Sequence, residues 1–172
     1  MTIGKGWCSV GAPISARRGV KAVDFSASAS VLAGELLRAM DPKNLVQGLE
    51  EEVRWKFRAC LFVVAAAGFG RARVIETKRS LARQMMLYGK GRTSSELRAD
   101  GVDPKYAAPG CRRVSWILPR LGMHVRGLAW DVDFSMYDAR SLARLEGVVE
   151  SIGVTWGGAW KVRDYGHFEA RD

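Results

Sequence analysis

An α+β fold, a small antiparallel sheet packed with helices, is predicted for this chain by three observations. Runs with period-two alternation and runs with apolar residues every three or four positions are interleaved along it. Their spacing shows no regular βαβ repeat of the kind a parallel sheet needs. At 172 residues and 48% hydrophobic content, the chain is long enough to bury one core.

Residues 1 to about 28 are rich in Gly, Ser and Ala without sustained periodicity and read as an irregular arm. Ser30 is placed to cap a short helix carrying Val31, Leu32, Leu36, Leu37 and Met40, ending at Asp41-Pro42. Arm and helix make an N-terminal unit, 1–42, ahead of a domain spanning 43–172. Asp41-Pro42 is also a start signal, because Asp suits the N-cap and Pro the first helical position. From there Leu45, Leu49, Val53 and Phe57 recur every four residues and lead into the apolar Ala59–Ala67 run, with Gly68 and Gly70 as a stop. This predicts one long core helix. Arg73 to Thr77 reads as a strand. Ser80 caps a further helix with Leu81, Met85 and Tyr88 on one face and Gly89 closing it.

A Gly/Ser/Asp/Pro-rich loop is expected over roughly 89 to 111, and a short strand over Ser115 to Leu118. Residues 128–134 form the clearest strand. Alternation sets Leu128, Trp130, Val132 and Phe134 on one side and Ala129, Asp131 and Asp133 on the other. Two aspartates on one face are costly to bury without a cation or donors. Asp138 or Ser135 then starts a helix with Leu142, Leu145, Val149 and Ile152 inward and Gly153 at its end. Val154–Trp156 and Lys161–Arg163 read as two short strands about a Gly157-Gly158 turn.

The 27 basic and 18 acidic residues give a net charge of +9, which favours a polyanionic partner: nucleic acid, anionic lipid or a phosphate-rich envelope. No Lys/Arg-rich block of the DNA-binding-arm type is present, so a nucleic-acid partner is not expected. Cys8, Cys60 and Cys111 are odd in number, far apart and without a C-x-x-C pair, which excludes a disulfide framework or a cysteine-rich zinc site. Met1–Trp7 has no signal-peptide pattern, and the longest apolar run, Ala59 to Phe69, is short of the ~20 residues of a membrane span. A soluble chain made in the cytoplasm is the expectation.

The chemistry concentrates in two segments. The chain has only two histidines, in His124-Val-Arg-Gly-Leu-Ala-Trp-Asp131 and Asp164-Tyr-Gly-His167, each with a carboxylate close by. Histidine is the commonest metal ligand, and imidazole with carboxylate suits zinc. Two histidines and one aspartate leave a fourth tetrahedral position for water, the layout of a catalytic zinc. Asp131 and Asp133 both qualify as the carboxylate, spacing favouring Asp131.

Four pieces occur in order: Val74-Ile-Glu-Thr-Lys-Arg79-Ser80 followed by Gln84, Leu87-Tyr88 and Gly91-Arg92-Thr93; His124-x-x-Gly127-x-Ala129-x-Asp131; Trp156-Gly-Gly-Ala-Trp160; and Asp164-x-x-His167-Phe-Glu169. Together, over about residues 43 to 169, they resemble the zinc D-Ala-D-Ala carboxypeptidase and L-Ala-D-Glu endopeptidase family, which includes phage endolysins and vancomycin-resistance dipeptidases. The resemblance implies a Hedgehog/DD-peptidase-like fold, with His124, Asp131 and His167 as zinc ligands and Asp164 as the general base. It implies that Arg79 stabilises the oxyanion or holds a substrate carboxylate. Trp156 and Trp160 read equally as core, pocket wall or substrate contact, with Trp160 the candidate for substrate binding. The chain departs from the family pattern at Gly122, where Ser is usual, at Lys78, usually aromatic, and at Ala159, usually acidic. Those departures touch substrate contacts and leave every implied ligand in place.

The implied activity is zinc-dependent hydrolysis of a peptidoglycan stem-peptide amide, with the L-Ala-D-Glu bond favoured and D-Ala-D-Ala carboxypeptidase action the alternative. The implied setting is a phage lysin, or a virion component whose 1–42 segment meets other virion proteins, acting in the periplasm or cell wall. A non-catalytic virion or wall-binding protein of the same fold is the rival reading.

Overall fold

The computed structural model describes residues 25–170. The arm expected over 1–28 therefore lies outside the described residues up to 24, as does Cys8. The next residues are already helical, in α1 (Phe25–Met40). Ser30 falls inside this helix and does not cap it. Val31 and Leu32 are exposed, whereas Leu36 and Leu37 pack against the core and Met40 is fully buried in it.

The long helix expected from 43 to 67 is broken. Asn44 adopts left-handed φ 52°, and the Asp41 carboxylate accepts hydrogen bonds from the Leu45 and Val46 amides. Two 3-10 turns follow, Leu45–Gly48 and Glu51–Val53, separated by extended backbone at Leu49 and Glu50. Tertiary bonds impose the break: the Thr77 hydroxyl donates to the Leu45 carbonyl (2.7 Å), and the Glu50 amide donates to the Gly127 carbonyl (3.0 Å). The regular helix is α2 (Arg54–Val64), continued by a π-turn over Ala65–Phe69 with Gly68 at φ 98°. The four-residue recurrence still names inward positions, since Leu49, Val53 and Phe57 are buried.

β1 (Arg73–Glu76), β2 (Ala129–Asp133), β3 (Val154–Trp156) and β4 (His167–Ala170) form one sheet in the order β1-β2-β4-β3, with all pairs antiparallel. This is the α+β architecture the sequence predicts. Trp130, Val132, Val154, Trp156 and Phe168 turn one face inward, where Phe57 meets Trp130 edge to face at 5.5 Å. Cys60 is buried there, and burial pushes its thiol pKa up, as suits an inert thiol. Asp131, His167 and Glu169 lie on the other face, as period two requires.

Ser80 caps α3 (Leu81–Gly89), accepting from the Arg83 amide. The loop expected over 89–111 holds a helix of its own, α4 (Ser94–Ala99), started by a Thr93/Glu96 capping box. Leu97 of α4 joins Tyr88 and Val102 in a second small core. Ser115–Leu118 is not a strand: Trp116, Ile117 and Leu118 are all exposed, so no buried face selects a register. His124 rides on the single turn α5 (Met123–Arg126). Asp138 caps α6 (Ala139–Leu142), but the helix expected to reach 152 breaks where Glu146 is extended and Gly147 takes φ 74°. Lys161–Arg163 is not a strand either. Val162 is exposed, and β4 takes the place beside β3. No helix among the described residues is long and apolar enough to cross a membrane.

Candidate metal centre

Strand register does most of the assembly. Asp131 of β2 stands directly opposite His167 of β4, and Glu76 of β1 pairs with Asp131 from the other side across a register irregularity. Directly opposed residues share a face with Cβ atoms about 4.5–5.5 Å apart, so backbone pairing alone brings an imidazole to a carboxylate. His124 arrives from α5, whose one turn is stopped by Gly127 at φ 74°, a conformation glycine adopts without strain. The Arg79 amide holds that turn by donating to the His124 carbonyl (3.0 Å).

His124 Nδ1 lies 2.6 Å from the Thr77 carbonyl oxygen. A carbonyl can only accept, so Nδ1 carries a proton, and Nε2 is the ring atom turned toward Asp131 and His167. That Nε2 is 3.1 Å from Asp131 Oδ1 and 3.3 Å from His167 Nδ1, and His167 Nδ1 is 3.1 Å from the same Oδ1. Tetrahedral zinc with bonds of roughly 2.0–2.1 Å needs ligand atoms roughly 3.3–3.4 Å apart. The triangle fits. Among the described residues, His124, Asp131 and His167 form a group of donors fit to hold one metal ion. The imidazoles are largely buried, and Asp131 is partly buried.

Neighbours orient each donor. His167 Nε2 meets Glu169 Oε2 at 3.3 Å, an arrangement that leaves Nδ1 free to ligate. Asp131 Oδ2 accepts from Arg79 Nη2 (3.2 Å), and the same guanidinium pairs with Glu76 and donates to Gln84 Oε1 (2.8 Å). Arg83 holds Glu76 from outside (2.8 Å). Arg79 thus reaches the site through Asp131. Burial works to raise the Asp131 pKa, but hydrogen bonds and charge from His124 and His167 outweigh it and hold the carboxyl well below the usual range. Burial works to lower the His167 pKa, while Asp131 and Glu169 outweigh it and raise the pKa to about 9 from 6.5.

In the metal-free protein the His167 imidazolium stabilises the fold fully below pH 6.5, and that contribution is lost as pH rises through about 9. A metal ion must displace this proton, whereas Asp131 brings none. Apparent metal affinity is expected to rise up to about tenfold per pH unit and level above about 9. Calorimetric titrations in buffers of differing ionisation enthalpy count the released proton. A flat profile would remove His167 from the ligand set.

Asp133 is exposed at the strand end and accepts from the Ser135 amide (2.8 Å), away from the triad, so the carboxylate in the group is Asp131. Asp164 is exposed and makes no side-chain hydrogen bond among the described residues. Its backbone is fixed: its amide donates to Gly157 O (2.9 Å), and its carbonyl accepts from the His167 amide (3.2 Å). Gly157 permits this approach. A Cβ there would stand 2.5 Å from the Asp164 carbonyl oxygen and 3.2 Å from the Cβ atoms of both Asp164 and His167. The two side chains therefore leave the chain around one point. Trp160 is half-buried with its ring 5.1 Å from the His167 ring, a wall of the site, whereas Trp156 is buried core and donates to the Tyr165 carbonyl.

Of the departures noted in the sequence, Gly122 faces the Gln84 side chain, Lys78 pairs with Glu50 at the surface, and Ala159 is exposed. Sequence reasoning assigned no role to Thr77, Glu76 or Glu169. Reading 167–170 as a strand would have set Glu169 on the His167 face. The Thr77 contact is through backbone and leaves no trace in residue type.

A family model described as D-alanyl-D-alanine carboxypeptidase matches residues 118–170, which include His124, Asp131, Trp160, Asp164 and His167 but not Arg79. No curated protein matches the chain. Among solved structures, the L-Ala D-Glu endopeptidase ChiX of Serratia marcescens is similar at 21% identity, covering 75% of this chain and 85% of that one, with a TM-score of 0.44.

Proposed function

We propose that this chain, whose residues 118–170 match the D-alanyl-D-alanine carboxypeptidase family model, is a zinc peptidase cutting a stem-peptide amide of peptidoglycan. The observation that carries the proposal is the convergence of His124 Nε2, Asp131 Oδ1 and His167 Nδ1 at 3.1–3.3 Å within the segment matched to the family. Bound there, zinc would acidify the attacking water and polarise the scissile carbonyl. Asp164, three residues before His167, takes the water's proton on its carboxylate and returns it to the leaving amine. Trp160 packs the bound peptide against the His167 side of the site. Arg79 keeps Asp131 in its ligating orientation and offsets its charge, and it supports the oxyanion only through that position.

The L-Ala-D-Glu bond is the favoured target. A carboxypeptidase must grip a terminal carboxylate, and the Arg79 guanidinium is already engaged by Glu76, Asp131 and Gln84. The resemblance to endolysins supports a phage setting in which the enzyme reaches the wall as a lysin or virion part.

Chelation is expected to abolish hydrolysis of purified sacculi, and added zinc to restore it. Mass spectrometry of the digest then identifies the bond. New amino-terminal D-Glu marks the endopeptidase, and loss of terminal D-Ala marks the carboxypeptidase. Hydrolysis indifferent to chelation would overturn the zinc proposal.

A further inference from the structure

Residues 112–121 combine two features the peptidase reading does not use. Of the thirteen large hydrophobic residues exposed among the described residues, five fall here: Val114 at 47%, Trp116 at 61%, Ile117 at 57%, Leu118 at 39% and Leu121 at 62%. The segment is also one-signed. From Pro104 to Trp130 there is no Asp or Glu, but there are Lys105, Arg112, Arg113, Arg120 and Arg126. Arg113 is held by Glu96, whereas Arg112 and Arg120 are exposed and make no ion pair among the described residues. The stretch is anchored from beneath by buried Pro119 and by Gln84, which donates to the Ser115 hydroxyl (3.2 Å). Its exposed side chains are thus presented from a fixed base.

We propose that residues 112–121 form a docking surface for an anionic lipid bilayer. The charge selects among occupants. A second copy of the chain would set the same arginines against one another, and a hydrated wall glycan would gain nothing from five exposed apolar side chains. A bilayer interface accepts both. Tryptophan and aliphatic side chains sit at the headgroup level, and guanidinium groups meet lipid phosphates. The irregular backbone of 112–118 limits this to the interface, because its amide and carbonyl groups need water or headgroups as partners. The proposal does not rest on the peptidase reading.

Co-sedimentation of the full chain with vesicles tests it. Binding is expected to vesicles of equal parts phosphatidylglycerol and phosphatidylcholine, to weaken with salt, and to be at least tenfold weaker with phosphatidylcholine alone. Trp116→Ser combined with Ile117→Ser is expected to weaken binding at least tenfold. Arg112→Gln and Arg120→Gln should each weaken it about fivefold. Both sets should leave the thermal unfolding midpoint and hydrolysis of a soluble muropeptide unchanged, since these side chains point to solvent. Three outcomes would overturn the proposal: no binding of the wild-type chain to the anionic vesicles at low salt, equal binding by the variants, or variants that lose only binding to isolated sacculi or only self-association.

Discussion

His124→Ala is expected to lose its bound metal and, with it, all measurable peptide hydrolysis. The substitution leaves two protein donors, Asp131 Oδ1 and His167 Nδ1, 3.1 Å apart. Disturbing a neighbour that merely orients a ligand typically costs ten- to a hundredfold in metal affinity, and removing a ligand costs more. The variant also strips the Thr77 carbonyl of the Nδ1–H it accepts at 2.6 Å, and a buried acceptor left unpaired costs about 1–3 kcal/mol. A lower unfolding midpoint therefore accompanies the loss of metal. Asp133→Ala is the control. It lies on the same strand as Asp131 but is exposed, and it is expected to keep metal and activity. Elemental analysis of both purified variants is the measurement, and full metal occupancy in His124→Ala would exclude that residue as a ligand.

What was legible in the sequence was whatever local pattern determines. The alternation Leu128, Trp130, Val132 and Phe134 identified β2, its buried face and the outward Asp131 without any knowledge of neighbours. The caps at Ser80 and Asp138 were legible because a side chain bonding its own next turn is a local event. What depends on distant partners was not. Nothing in residues 43–53 announces that Thr77 and Gly127 will hold Leu45 and Glu50 out of a helix. β4 was not legible because His167-Phe-Glu-Ala170 holds one large apolar residue, and its place is set by pairing with β2 and β3, elements distant in the chain. Of the site, residue types singled out the two histidines and the carboxylates near them, and the family resemblance implied His124, Asp131 and His167 as ligands and Asp164 as base. The pairing of Arg79 with Glu76 and Asp131 was not legible, since it depends on where β1 lies against β2.

Asp164→Ala is expected to separate binding from chemistry, retaining metal while hydrolysis falls by about 10² to 10⁴, the usual contribution of a general base. Retention follows from how residue 164 serves the fold. Its amide donates to Gly157 O and its carbonyl accepts from the His167 amide, and an alanine makes both bonds. The carboxylate itself is exposed and makes no side-chain hydrogen bond among the described residues, so its loss strands no partner and leaves His167 where β4 sets it. In the proposed role, proton transfer is all that the alanine removes. The isosteric Asp164→Asn should fall equally, because an amide of the same shape cannot accept the proton. A fall confined to alanine would assign Asp164 a steric role. The pH dependence of metal affinity, which rests on His167, should stay as in the wild type in both variants. Near-normal turnover with metal bound would move the base to another group, and with it the assignment of the 164–167 turn as the catalytic element.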